Sequence, residues 1–217
     1  AVEGDWLEIV VKLAGYLGLR RSEICGLRWE DVDLENGVIQ IQCVRTTAGG
    51  KVVEKQPKSE SSIRKLGIAG ISDLVDLLRE ERFNQLQQKK QLGKAYWDSG
   101  YVVVKKDGSP CQPNQVTNIF RQFIQLHGLP HITIHGLRHT FASVANSAKV
   151  PLVDIGKALG HKDITITGRI YTHLFDQTHQ EVLNMVASRI CIEWKLLPMY
   201  NHNILWILLI YGWIWTI

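Results

Sequence analysis

The chain has 217 residues, enough for one sizeable domain with a core of its own, and its 45% hydrophobic and 21% charged residues are those of an ordinary soluble globular protein. A net charge of +4 and a sequence pI of 8.9 are compatible with a polyanionic partner without requiring one. Four cysteines scattered singly, Cys25, Cys43, Cys111 and Cys191, exclude a CxxC-type metal site and a disulfide scaffold, and read as reduced thiols of a cytoplasmic protein.

The opening "AVEGDWLEIV" has no basic start followed by an apolar run, so it is not a signal peptide. It lacks Met as well, as a fragment of a longer chain would. Trp6, Ile9, Val10, Leu13, Ala14 and Leu17 recur at helical spacing and predict an amphipathic helix that Gly18 terminates. A short second helix is expected within "RSEICGL". The period then changes. "NGVIQIQCV" alternates apolar and polar residues after an Asn-Gly turn, which predicts a strand over 38–45. "AGGK" at 48–51 is a turn, and "VVE" and "IRKLGI" are two further short strands. Together they predict a small three-stranded sheet, antiparallel because its connections are short.

Ile71, Leu74, Val75 and Leu78 start a long helix whose other face is polar through "ERFNQLQQKKQ". "YVVV" and "DG" predict an extended piece and a turn. Pro113 suits the first turn of the next helix, with Val116, Ile119, Phe120 and Phe123 as its apolar stripe. Helical segments follow at 135–147, 151–159 and 164–174, and an amphipathic helix at 178–190. The fold class is α+β, mainly α-helical with a small three-stranded antiparallel sheet. Residues 191–217 depart from this pattern. They hold four of the seven tryptophans and only two charges, Glu193 and Lys195. The apolar run of 14 at 204–217 is shorter than the roughly 18–20 residues a bilayer span needs. A docking tail, a membrane-surface segment and an aberrant C-terminus all fit, and the abrupt shift in composition favours the last.

Three stretches concentrate basic and hydrogen-bonding residues at bends: 18–33, 56–68 and 135–174. In the third, His135 and Arg138 are three apart and share a helix face. His161 follows Leu159-Gly160 at a helix end, and Tyr171 comes ten residues later. Two histidines, an arginine and a tyrosine suit metal-free phosphoryl transfer. A guanidinium fork neutralises phosphate oxygens with a geometry lysine cannot copy. Histidines move protons or donate hydrogen bonds, and a tyrosine hydroxyl can be the nucleophile. Its pKa of about 10 makes the phenolate cost about 4 kcal/mol at pH 7, which nearby cations or a base must offset. Taken singly, each residue is ordinary: a helix histidine is usually structural, and Arg20, Arg21 or Lys58 a surface charge.

The ordered combination resembles the tyrosine recombinases, or phage-type integrases, over residues 1–190. "GLRRSE" matches the family's Gly-Leu-Arg-x-x-Glu, with Arg20 as the arginine and Glu23 its structural partner; "LRWEDVDL" is also typical. Lys58 matches the lysine on the turn between the second and third strands, His135 and Arg138 the His-x-x-Arg pair, His161 the Leu-Gly-His histidine, and Tyr171, within "YTH", the nucleophile. In "KSE", Glu60 stands near a place where relatives often have a second basic residue, although Lys55 and Lys65 are close in sequence. The family's helical DNA clamp and arm domains do not lie within these 217 residues.

The resemblance implies the integrase catalytic-domain fold over 1–190, with 191–217 as a separate apolar tail. It also implies site-specific recombination of double-stranded DNA through a 3′-phosphotyrosyl intermediate, without metal or small-molecule cofactor. Arg20 and Arg138 would bind the non-bridging oxygens, Lys58 would protonate the leaving 5′-oxygen, His135 would assist near the tyrosine, and His161 would donate to the phosphate. Four protomers would assemble on two duplexes, each monomeric when free, in the cytoplasm and on the nucleoid. Gly168 would loosen the segment carrying Tyr171 until DNA or assembly orders it. Type IB topoisomerase-like relaxation and a truncated DNA-binding remnant are the alternatives.

Overall fold

The computed structural model describes residue 2, residues 4–57 and residues 62–161. Lys58, Tyr171, the expected helices at 164–174 and 178–190, and the tail at 191–217 lie outside the described residues.

Helix α1 (Leu7–Leu17) buries Leu7, Ile9, Val10, Leu13, Ala14 and Leu17, the stripe read from the sequence with Leu7 in place of Trp6. Each large side chain in that stripe contributes roughly 1.5–3 kcal/mol of burial. Trp6 precedes the first turn without a capping hydrogen bond and stays 37% exposed. Gly18 ends α1 with φ of +62°, and the N–H groups of Gly18 and Leu19 both return to the Leu13 carbonyl. That left-handed turn is also crowded. A Cβ on Gly18 would come within 2.7 Å of Leu159 Cδ2 and 2.8 Å of Phe141 Cδ1. The short helix α2 (Arg21–Ile24) follows at once, with Leu19, Ile24 and Cys25 fully buried.

The three-stranded antiparallel sheet is present, but with other members than expected. Strands β1 (Val32–Asp33), β2 (Val38–Ile41) and β5 (Arg64–Gly67) form it in the order β1-β2-β5. The single strand expected over 38–45 is two. Ile39 and Ile41 point into the core by two-residue alternation. The ladder then stops at Gln42, whose side-chain amide turns to the Asp31 carboxylate. The chain resumes as β3 (Val44–Ala48), which pairs with β4 (Lys51–Lys55) across a two-residue Gly49–Gly50 turn. "VVE" therefore belongs to a separate hairpin. One cluster pins that hairpin to the body. Glu54 accepts from Arg28 Nη2, from the Tyr101 hydroxyl and from Cys43. The guanidiniums of Arg28 and Arg45 lie 4.4 and 4.7 Å from the centre of the Tyr101 ring.

Helix α3 (Ser72–Leu92) buries Leu74, Val75 and Leu78 in its first turns. Further along it buries Gln85, which accepts from Trp29 Nε1 and donates to the Val102 carbonyl. Residues 101–104 make only isolated bridges, Arg28 with Tyr101 and Val104 with Pro110. Helix α4 (Pro113–Leu126) starts on Pro113 as expected and buries Val116, Phe120, Phe123 and Ile124. Ile119 is off that stripe and 39% exposed. Helix α5 (Ile134–Ser147) is capped by Thr133, whose hydroxyl accepts from the Gly136 N–H at 2.9 Å. It packs against α1 and, after a short turn, against α6 (Leu152–Leu159). Among the described residues no helix is long and apolar enough to cross a membrane, and Cys25, Cys43 and Cys111 are free thiols.

Candidate active site

Helix α6 ends in a Schellman turn. Gly160 takes φ of +65°, the His161 N–H bonds to the Gly156 carbonyl, and the Gly160 N–H to that of Lys157, each at 2.9 Å. That geometry explains Leu-Gly-His as a local word. Leu159 anchors the turn in the core, glycine supplies the left-handed residue, and histidine emerges immediately beyond it. The last carbonyls of a helix have no partner within it and carry the negative end of its dipole. Here three guanidiniums cover them. Arg64 Nε donates to Ala158 O at 2.7 Å, Arg138 Nη2 to Leu159 O at 2.7 Å, and Arg20 Nη2 to Gly160 O at 3.1 Å.

Behind the arginines sits Glu23, 1% exposed. Arg20 Nη1 donates to its Oε1 at 2.7 Å, and the Arg20 backbone N–H to Oε2 at 2.8 Å. Arg64 engages both oxygens, Nη1 with Oε1 at 3.1 Å and Nη2 with Oε2 at 3.0 Å. Arg138 Nη1 lies 4.0 Å from Oε2 and donates to the Gly18 carbonyl at 2.5 Å. Burial alone would raise the Glu23 pKa; the hydrogen bonds and charge of Arg64, with those of Arg20, outweigh it and hold the carboxyl below its ordinary value. Three guanidiniums against one carboxylate leave a net charge of +2 around one helix end. A cluster of that sign suits a bound anion.

The two neighbouring arginines of "GLRRSE" separate here. Arg20, at the start of α2, faces Glu23 and α6, whereas Arg21 donates to the Thr117 hydroxyl at 2.7 Å. Arg20 is about one-third exposed (35%), and the bonds above engage two of its five N–H groups, leaving others for a ligand. Arg138 is buried (3%). His161 Nε2 lies 3.0 Å from Arg138 Nη2; a guanidinium can only donate, so Nε2 accepts and the imidazole is neutral. Burial, then the charges of Arg138, Arg20 and Arg64, push the His161 pKa down to about 4. His135 sits at the more open rim of α5, its ring 4.5 Å from that of His139 and edge-on to it. Partial burial, His139, Arg138 and Arg20 lower its pKa.

Of the six residues singled out in the sequence, Arg20, Arg138 and His161 converge on the end of α6, and His135 stands one turn before Arg138. Lys58 and Tyr171 are outside the described residues. Sequence reasoning missed Arg64. The signal was available: Arg64 shares its face of β5 with Leu66 and with the buried Ile68 that follows the strand, so it is a charged residue on an inward face. Among the described residues no three His, Cys, Asp or Glu side chains gather as a metal site.

Comparison with known proteins gives one picture. The family model described as Phage integrase family matches residues 3–178. A "Tyrosine recombinase XerC-like" protein of Caldanaerobacter subterraneus subsp. tengcongensis is 31% identical over 186 residues, 80% of this chain and 47% of that protein. The integrase of Staphylococcus phage L54a is 28% identical over 179 residues, 79% of this chain and 49% of that one. Among solved structures, the Tn1549 transposon integrase in complex with transposon right end DNA is 26% identical. Its TM-score is 0.66, over 82% of this chain and 58% of that chain. XerA recombinase is 25% identical with a TM-score of 0.61, over 85% and 59%. The chain thus spans about half the length of the curated relatives it matches.

Proposed function

The chain belongs to the phage integrase family, and from that premise we propose that it breaks and rejoins double-stranded DNA through a 3′-phosphotyrosyl intermediate, as the catalytic part of a site-specific recombinase of a mobile element. The observation that carries the reading is the meeting of Arg20 and Arg138, far apart in sequence, with His161 at one positively charged helix end. The relatives bound to DNA in solved structures, the Tn1549 integrase among them, support DNA as the substrate.

In this mechanism the scissile phosphate lies against the exposed edge of Arg20. Arg20 and Arg138 take its non-bridging oxygens and stabilise the charge that builds in the pentavalent transition state. His161, neutral at pH 7, donates a hydrogen bond to the same group. The Tyr171 oxygen attacks phosphorus and loses its proton, with His135 assisting. The P–O5′ bond breaks and Lys58 gives its proton to the departing 5′-oxygen. The phosphodiester bond is exchanged for a phosphotyrosyl bond of similar energy, so no nucleotide triphosphate is consumed. Attack by a 5′-hydroxyl from a second duplex reverses the chemistry and completes exchange. Residues 1–190 form the catalytic domain and 191–217 a separate tail. Four copies act on two duplexes, and the protein works in the cytoplasm, on the nucleoid.

The test is a nicked suicide duplex incubated with the protein without metal or ATP. A denaturation-resistant protein–DNA adduct that disappears in Tyr171→Phe is expected. An adduct that persists in Tyr171→Phe rejects the assignment of the nucleophile.

A further inference from the structure

We propose that Arg64 is a positioning residue of this site: one guanidinium fixes both the Glu23 carboxylate that orients Arg20 and the helix end that carries His161. The proposal rests on the reading that Arg20 and His161 engage the phosphate.

The geometry turns each of the three nitrogens of Arg64 to a protein acceptor. Nη1 and Nη2 take the two Glu23 oxygens, Nε takes Ala158 O, and Nη1 also donates to Ser62 O at 3.1 Å. Its side chain is 7% exposed against 35% for Arg20. All three nitrogens of Arg64 thus serve the protein's own carboxylate and carbonyls, whereas Arg20 keeps N–H groups for DNA. With Arg64 on both oxygens, Glu23 keeps Oε1 for Arg20 Nη1 and Oε2 for the Arg20 N–H, which sets the direction of the Arg20 side chain. The same guanidinium plane reaches α6 at Ala158, two residues before Gly160, whose carbonyl takes Arg20 and the Ser62 hydroxyl. β5, α2 and α6 are thus joined through one side chain. Lysine carries the charge but cannot span a carboxylate and a carbonyl at once, because its donors radiate from a single nitrogen. Gly160 belongs to the same device. A Cβ there would stand 2.8 Å from Arg64 Nη1, so the approach of Arg64 to α6 depends on glycine.

Two measurements on the full chain test this. In the DNA-free protein, Arg64→Lys raises hydrogen exchange of the Gly160 and His161 amides about tenfold and leaves the buried first turns of α3 unchanged. Unchanged exchange at Gly160 and His161 overturns the proposal. In single-turnover adduct formation on the nicked duplex, Arg64→Lys slows the rate at saturating DNA about thirtyfold while duplex affinity stays within about threefold. In an Arg20→Ala background the same replacement costs less than about threefold, because its effect runs through Arg20. Fully multiplicative losses overturn the proposal, as does weakened affinity with an unchanged rate. Gly160→Ala, which displaces Arg64 while keeping its charge, gives the same exchange pattern and serves if Arg64→Lys does not fold; unchanged protection there also overturns it. Failure of the wild-type chain to form an adduct, or full activity in Arg20→Ala, strikes the reading of Arg20 instead, and the exchange measurement then decides on Arg64 alone.

Discussion

Replacing Glu23 by glutamine preserves the shape of the side chain and removes its charge. The carboxylate is 1% exposed and receives Nη1 and Nη2 of Arg64 and Nη1 and the backbone N–H of Arg20. Glutamine offers one acceptor oxygen in place of two, and its amide N–H groups face a guanidinium that can only donate. Arg64, with a side chain 7% exposed, then keeps a buried charge without a counter-ion. Removing one partner of a buried ion pair costs about 3–5 kcal/mol. For a chain of this size each kcal/mol lowers Tm by roughly 2–4 °C, so Glu23→Gln melts about 6–20 °C below wild type. Arg20→Gln removes a partner that is one-third exposed and screened by water, and costs about 1 kcal/mol. Urea unfolding of the three proteins, with m unchanged, measures the contrast. A Glu23→Gln protein within about 1 kcal/mol of wild type, or equal to Arg20→Gln, refutes the placement of Glu23 at the centre of the site. The sign with pH follows from the lowered Glu23 pKa. Its contribution is present above the ordinary value of 4.5 and is lost as pH falls through the lower folded value, so acid sensitivity from this source disappears in Glu23→Gln.

Arg138→Lys keeps the charge and loses the fork that reaches Gly18 O, Leu159 O and His161 together; single-turnover adduct formation falls about a hundredfold, the range for losing a transition-state donor. Gly18→Ala forces a side chain into the left-handed region and against Leu159 and Phe141, which costs about 2–4 kcal/mol in urea unfolding. His161 binds its proton less readily folded than unfolded, so its contribution is intact above pH 6.5 and lost as pH falls towards 4. The drop from 6.5 to about 4 corresponds to about 3 kcal/mol, reduced to roughly 1–2 kcal/mol because the ring is only part-buried. His161→Gln therefore flattens the stability profile between pH 4 and 6.5, and unfolding midpoints across that range measure it.

Most of the helices were legible because each buries one side at a 3.6-residue period: α1, α3, α5 and α6 begin and end within a residue or two of the expected places, and α4 begins on Pro113. The strands were less so. The alternation through 38–45 runs on past the point where Gln42 turns to Asp31, a contact eleven residues back in the chain that alternation cannot encode, so the pattern predicts one strand where two lie in different sheets. Spacing places Ile119 on the buried stripe of α4, but it lies at the edge of that face, and Ile124, four residues after Phe120, takes the inward place. Within the site, Arg20, His135, Arg138 and His161 were found through motif words. The spacing of those words does not reveal that three arginines cap one helix end, because that depends on β5, α2, α5 and α6 meeting in space. The inward face of Arg64 is legible from its alternation with Leu66 and Ile68, but its role is not, because its partners lie 41 and 94 residues away.

The central claim is that Tyr171 carries the DNA. Peptide mapping by mass spectrometry of the adduct formed on a nicked duplex, without metal or ATP, reads this directly. The account predicts a nucleotide linked through its 3′-phosphate to Tyr171, and no linked peptide in Tyr171→Phe. A nucleotide on any other side chain, or a 5′-linked phosphate, contradicts it.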